Sequence, residues 1–288
     1  MPRKEILSPG KIVFQKLLRN RLAMAGAVIL IILTVISLLA PVLARWDQNK
    51  IDLFSIEAPP SAEHPLGTDE LGRDVLSRLL YGGRVSIMVG ICATLVQVTI
   101  GILLGMSAGF FGRIADSIIM RICDIVMCFP FYAIAISLAA LLGANVWNVV
   151  FIVGALNWTG VARIVRAETL SLRSREFIDA ARALSLNNVE IIWRHILPNV
   201  LGPIIIYATL GIATGVLSEA SLSFLGLGVK PPQPSWGNML SAAQNMRILS
   251  SEWWMWIPPG IMVFLLVLSI NFVGDGLRDA LDPTATLV

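Results

Sequence analysis

The side chain in this sequence best placed to do unusual chemistry is the carboxylate of Glu219, set in the apolar run GVLSEASLSFLGLG, residues 215–228. A carboxylate inside such a run is costly unless it faces protein or water. It therefore either lines a pathway or bonds a neighbouring group such as Ser218, Ser221 or Ser223, and both readings stay open. Arg121 and Asp124 stand three residues apart in another apolar run, the spacing of a pair on one helix face, with a structural or a pathway-lining role. Nothing else resembles a catalytic set. The sequence has no phosphate-cradling G-x-x-x-x-G-K-[ST], no Gly-x-Ser-x-Gly elbow and no His-Glu-x-x-His. Its two histidines, His64 and His195, are expected on opposite sides of a membrane. Cys92, Cys123 and Cys128 all lie in apolar runs and read as small core residues rather than disulfides or metal ligands. The chain on its own is not expected to be an enzyme, to bind a metal or cofactor, or to bind nucleic acid.

The other polar concentration is EFIDAARALSLNNVEIIWRHILPNV, residues 176–200. Phe177, Ala180, Ala181 and Leu184 recur at i, i+3, i+4 and i+7, which predicts an apolar stripe on a short helix, with Ser174 placed to cap it. Asn187 and Glu190 have the spacing of a second helix start. Val189, Ile192 and Ile196 predict a new stripe, and Pro198 marks a turn into the next apolar run. The small Ala180–Ala181 face would admit another protein closely. A helix lying passively on the membrane surface fits the same periodicity.

These residues must be positioned by membrane-spanning helices. Apolar residues make up 56% of the 288 and charged residues 14%, against about 25% charged in soluble domains. Six runs are long enough to cross a bilayer, at 22–44, 85–110, 117–142, 146–163, 200–225 and 253–274. The chain is read as an all-α polytopic membrane protein. Arg3, Lys4, Lys11, Lys16, Arg19 and Arg21 precede the first run, so residues 1–21 are expected in the cytoplasm. Six crossings return the C-terminus to that side and put the segment from Arg163 to Arg194, with its six arginines, there too. Residues 46–80, with seven acids against three bases, fall outside.

Gly101, Gly105 and Gly109 repeat at four-residue spacing in the second run, the pattern of close helix approach within a bundle or across a dimer. Pro130 is placed to kink the third run. In the outward segment 45–84, Val75, Leu76, Leu79 and Leu80 predict a short interfacial helix capped by Asp69. In the second outward segment, 229–256, prolines are expected to end the fifth run, and Trp253, Trp254 and Trp256 to form an aromatic belt. Residues 85–288 would form the main transmembrane unit, and neither outward segment is large enough to be a separate domain.

The sequence DAARALS followed by RHILP resembles the EAA loop of ABC importer permeases, E-A-A-x3-G-x9-I-x-L-P. Asp179, Ala180 and Ala181 match its opening, Leu197 and Pro198 its end, while Ser185 stands where Gly is usual and His195 where Ile is usual. HPLGTDELGRDVLSR (64–78), LSFLGLG with PSWG (222–237) and GDGLRDALDP (274–283) are similar to segments of the dipeptide/oligopeptide/nickel permease group, and to its C-type subunit in particular. The resemblance implies the type I ABC importer architecture in the bacterial cytoplasmic membrane. It implies a homologous B-type permease partner, two cytoplasmic ATPases that hold ATP and magnesium, and an extracytoplasmic binding protein. It further implies that loop 174–199 couples to an ATPase through Phe177, Asp179, Ala180, Ala181, Arg182, Ser185, Leu197 and Pro198, with Arg175, Glu176, Asp179 and Arg182 pairing across the interface. Di- or oligopeptides are the expected cargo, with nickel or another small solute as the alternative. The rival class is an ion-coupled secondary transporter using Glu219.

Overall fold

The computed structural model describes residues 9–281, and every regular element in them is helical. A basic helix, α1 (Pro9–Arg19), ends where Asn20 caps α2 (Arg21–Leu38), its side chain accepting the Ala23 amide at 3.1 Å. One further turn, α3 (Ala40–Leu43), carries Pro41, which cannot donate a helical hydrogen bond, so the first span stops short of residue 44. An irregular segment leads to α4 (Val75–Phe111), then α5 (Arg113–Cys128) and α6 (Phe131–Leu142). Next come α7 (Val146–Arg173), the short α8 (Glu176–Ala183) and α9 (Asn188–Ile191). A π-helical segment, Ile192–Ile196, joins α9 to α10 (Leu197–Phe224). Then follow α11 (Trp236–Leu240), a 3-10 turn (Ser241–Gln244), α12 (Met246–Ser251) and α13 (Trp253–Leu281). The basic residues Arg3 and Lys4 and the terminal Asp282–Pro283 lie outside the described residues.

Five helices are long and apolar enough to cross a membrane, and α5 with α6, bent by 87°, count as a sixth if taken as one broken span. The bend is sharper than a kink. Phe129 is extended because it precedes Pro130, and Pro130 itself has no N–H to carry the ladder across.

Three expectations are corrected. No separate interfacial helix precedes the second span: α4 runs unbroken from Val75, and its cap is Asp74, which accepts the Ser77 amide at 2.7 Å. Asp69 instead holds the Leu71 and Arg73 amides and the Arg73 side chain at 2.7 Å. The fifth span begins upstream of Pro198: the helix is continuous from Asn188, and the π-helical segment Ile192–Ile196 lies immediately before the proline, where a helical N–H is missing. That span ends not at the prolines but at Gly226, whose φ of +77° lets the Leu227 amide return to the Leu222 carbonyl.

The direction of each crossing follows from the packing. Gly101, Gly105 and Gly109 of α4 meet Val161, Ala162, Val165, Arg166 and Thr169 of α7 in matching order, so these two helices run parallel. The bent pair between them must therefore carry the chain back from one end of the bundle to the other. The glycines serve packing inside the chain. A methyl on Gly105 would come within 2.6 Å of the Ala162 carbonyl oxygen and 2.8 Å of Val165 Cβ. Lipid gives no hydrophobic drive for helix association, so this close approach supplies the dispersion contact that holds the seam.

Gly105→Ala is expected to destabilise the purified chain by about 1–3 kcal/mol through overpacking. Gly160, on the open side of α7 with nothing within 4 Å, is the control. There Gly160→Ala should be neutral or stabilising by up to about 1 kcal/mol. Thermal unfolding in detergent measures both, and equal shifts would contradict the seam.

Candidate functional site

The charged stretch folds onto the end of the bundle as predicted in outline, but its buried side is not the predicted one. Ile178 and Ala181 of α8 are buried with Ile191, Ile192 and Ile196 in a cluster that includes Met106 and Phe110 of α4, Val161 and Val165 of α7, and Val200 and Ile204 of α10. The expected stripe is split. Ala181 turns inward, while Ala180 is exposed and Phe177 and Leu184 are 42% and 77% exposed. The larger buried side chain, Ile178, sets the inward direction. Phe177, Ala180 and Leu184 are left as an outward apolar ridge. The second stripe divides in the same way, with Val189 outside and Ile191 taking its place inside.

The turn between α8 and α9 explains the position where the resembled motif has glycine. Ser185 adopts φ +60°. Its amide returns to Arg182 and that of Leu186 to Ala181, closing a helix end in which Leu186 packs back on the core cluster. The left-handed residue is thus a serine carrying strain that a glycine would lack. Asn187 caps α9 as expected, accepting the Glu190 amide at 2.8 Å. Ser174 does not cap α8; it ends α7, and its hydroxyl bonds the Ser171 carbonyl. Asp179 pairs with Arg182 on the same helix at 3.0 Å, and Glu190 with Arg194. Arg182 also lies over the Phe110 ring, 5.9 Å from its centroid. Leu197 is half-buried against the core cluster, Pro198 is exposed and His195 is partly buried in the π-helical segment.

Arg121 and Asp124 do not pair. Asp124 accepts from Arg163 of α7 at 2.6 Å, while Arg121 is exposed and in no ion pair among the described residues. A second bridge that periodicity does not reveal, Arg166 to Asp116, forks the same two helices together. Both bind α5 to α7, so the basic residues of α7 serve the bundle. Cys123 is buried as expected, Cys92 is partly buried, and Cys128 is exposed because α5 stops there.

Glu219 is fully buried. Ser223, one turn on, donates to one of its oxygens at 2.7 Å, and Ser86 of α4 donates to the other at 3.0 Å. Each hydroxyl is also an acceptor, Ser223 for the Val229 amide at 3.0 Å and Ser86 for the Trp236 amide at 3.1 Å. The carboxylate therefore orients two hydroxyl relays that pin the segment between α10 and α11 across the end of α4. Of the neighbours expected from the sequence, Ser223 is a partner; Ser86, far off in the chain, is reached only through the fold. Within this chain the carboxylate is enclosed by protein.

The segments 45–74 and 225–252 are fastened by further polar groups, most of them buried. Arg78 reaches the carbonyls of Gln48 at 3.1 Å and Pro232 at 3.3 Å, joining both segments. The indole of Trp236 donates to the Leu79 carbonyl at 2.8 Å. Trp254 is buried and donates to the Thr68 carbonyl, so of the expected belt only Trp253 is substantially exposed. Arg247 bridges Glu57 at 2.5 Å and Glu252. Burial, and then the Glu57 charge nearby, push the Glu252 carboxyl above the usual glutamate range. Among the described residues no cluster of His, Cys, Asp and Glu side chains is placed to hold a metal ion.

Glu219→Leu is expected to strand the protons of Ser86 and Ser223, at about 1–3 kcal/mol for each buried group left unpaired. Hydrogen exchange should then quicken at the Val229 and Trp236 amides while Ala181 is unaffected. Unchanged protection would contradict the relay. Ser185→Val should lower the melting temperature by the equivalent of about 1–3 kcal/mol, since a β-branched residue resists positive φ, whereas Ser185→Gly should not lower it. A neutral valine variant would show that the turn is not strained.

Comparison with known proteins agrees with this geometry. Residues 101–286 match the family of binding-protein-dependent transport system inner membrane components, and residues 8–60 match the N-terminal transmembrane domain of oligopeptide transport permease C. The chain is 42% identical over 277 residues, 96% of its length and 90% of the relative's, to the dipeptide transport system permease protein DppC of Alkalihalophilus pseudofirmus. It is 40% identical over 281 residues, 97% of its length and 93% of the relative's, to the glutathione transport system permease protein GsiD of Pectobacterium atrosepticum. Its fold is similar to a chain of the inward-facing MetNI methionine ABC transporter, with a TM-score of 0.56 at 19% identity over 70% of this chain and 96% of that one. With up to six candidate crossings among the described residues and these matches along nearly its whole length, the chain belongs to the family of inner membrane permease components of binding-protein-dependent ABC transport systems.

Proposed function

We propose that this chain forms half of the transmembrane pore of an ATP-driven importer for small peptides and receives the motion of a cytoplasmic ATPase at the outward ridge of α8. The relatives named for dipeptide and glutathione transport support the peptide class, because the likeness runs through nearly the whole of each chain. The other half of the pore is a homologous B-type permease. Two ATPases beneath the pair hold ATP and magnesium, and an extracytoplasmic binding protein delivers the substrate to the outward segments. The termini and residues 174–199 lie in the cytoplasm. The charge asymmetry of the sequence supports this, as does the common placement of the ends of α4 and α7 with α8.

One observation carries the coupling assignment. Phe177, Ala180 and Leu184 are open on a helix whose adjoining side, Ile178 and Ala181, is locked into the ends of three spans. A load applied to the ridge reaches α4, α7 and α10 through packed side chains, which deform little. Ala180 lets a partner approach the helix backbone. Arg175 and Glu176 are in no ion pair among the described residues, so they are available to pair across a polar interface, while Asp179 and Arg182 would present their mutual pair. Leu197 and Pro198 fix the start of α10, so a displacement of α9 is passed to that span.

The test separates contact from folding. Ala180→Trp and Leu184→Asp, both outward, should each cost about 2 kcal/mol of docking, roughly thirtyfold, while leaving the melting temperature of the chain unchanged. The loss should appear as failure of a tagged chain to retain the ATPases and as loss of ATP-driven peptide uptake in proteoliposomes. Ala181→Trp, at a buried position, should unfold the loop instead. Normal assembly and uptake with both outward variants would sink the coupling assignment. Mass spectrometry of the ligand retained by the partner binding protein tests the peptide class separately.

A further inference from the structure

Helix α1 has a face that the rest of the chain leaves open. Val13 and Leu17 are partly buried, and Leu17 reaches to Gly276 of α13. The next edge of the helix carries Phe14 and Leu18, 60% and 48% exposed, and beside them lie the exposed Lys11, Gln15 and Arg19. Apolar exposure does not stop with the helix. Past the break at Asn20, whose backbone is extended, Leu22 at the start of α2 is 62% exposed, and Val28, Ile31 and Val35 are exposed along that span. The exposed apolar surface of a membrane span therefore begins immediately after α1. No acidic residue occurs from Pro9 to Arg21, which holds Lys11, Lys16, Arg19 and Arg21.

We propose that α1 lies along the membrane surface and binds anionic phospholipid headgroups, with Phe14 and Leu18 sunk at the acyl boundary and Lys11 and Arg19 at phosphate height. Two observations favour lipid over a protein partner. The apolar edge of α1 adjoins, across Asn20, a span surface that only lipid or another span can cover. The flank beside it is purely cationic, whereas the outward flank of α8 mixes both signs. An amphipathic helix with basic residues bordering its apolar edge is suited to an anionic interface. Because α1 packs on the end of α13, the headgroups would also brace that span.

The test uses the intact transport complex in nanodiscs of phosphatidylcholine with a minor share of phosphatidylglycerol. A fluorophore is placed through Leu18→Cys, with Cys128→Ser removing the exposed native thiol. Quenching by a nitroxide lipid with a phosphatidylglycerol headgroup should exceed that by the phosphatidylcholine counterpart at equal mole fraction. The excess should be about fivefold per engaged cation. Lys11→Glu with Arg19→Glu should bring the two to equality. If neither lipid quenches in the assembled complex, water or a subunit covers the face and the proposal fails. Equal quenching before any charge is changed also overturns it. That comparison needs no charge variant, so it stands even where the double variant assembles poorly.

Discussion

The close approach of α4 and α7 is the contact on which the other arrangements rest. Within lipid the hydrophobic effect does not distinguish a helix partner from acyl chains, so association depends on how near two backbones come. Gly101, Gly105 and Gly109 allow that nearness along one continuous seam, with Val161, Val165 and Thr169 filling the space their missing side chains leave. The seam makes the two helices parallel, and every later feature inherits this. The intervening chain must return through the bent α5–α6 pair, and Arg163 and Arg166 on α7 are brought opposite Asp124 and Asp116 on α5. The ends of α4 and α7 then stand side by side and offer one apolar platform to Ile178, Ala181 and Ile191.

Polar groups at the opposite end are handled by a different rule. Buried there, each must be satisfied inside the protein. The chain does this for several of them with side chains that face two ways, while Glu252 Oε2 and Trp256 Nε1 stay without a partner among the described residues. Ser86 and Ser223 take a backbone proton from the outer segment and give their own to Glu219. Asp74 caps α4 with one oxygen and takes His64 Nδ1 on the other at 2.9 Å. Arg78 spans two loop carbonyls and also approaches Asp69 at 3.3 Å. The outer segments are thus fastened by hydrogen bonds of fixed geometry, while the inner loop is held by apolar packing. Directional bonds fix the shape of the first, and close-packed hydrocarbon makes the second stiff.

What could be read before folding divides along the same line. Spans and their flanking charges are properties of local composition, so the crossings were legible to within a turn or so at most ends, and Asn187 was recognisable as a cap because capping acts within three residues. Partners from distant elements were not. Asp124 stands three residues from Arg121, yet α7 delivers Arg163 to it, and no spacing within α5 announces this. Ser86 and Glu219 are likewise joined only by the crossing of α4 and α10. The stripe on α8 was misassigned for a more instructive reason. Periodicity locates a helix face but ranks candidate faces by apolar count, and Phe177, Ala180 and Leu184 compete with Ile178 and Leu186 at nearly equal weight.

That competition bears on what the loop does. Had the richer stripe turned inward, α8 would present its charges alone, and its small residues would be spent on the core. Instead one alanine of the pair is consumed by packing and the other remains at the surface, so Ala180 and Ala181, about 100° apart around the helix, face solvent and core respectively. A bulky residue on either side would disturb only one of them. The paired alanines therefore let the core and a partner each approach the helix closely, on two adjoining sides. Ser185 turns the chain sharply at φ +60°, so that α9 returns under the same core rather than projecting away from it. Under the proposed coupling role, a displacement at the ridge passes to the spans through Ile178 and Ala181, whose packed surroundings deform little.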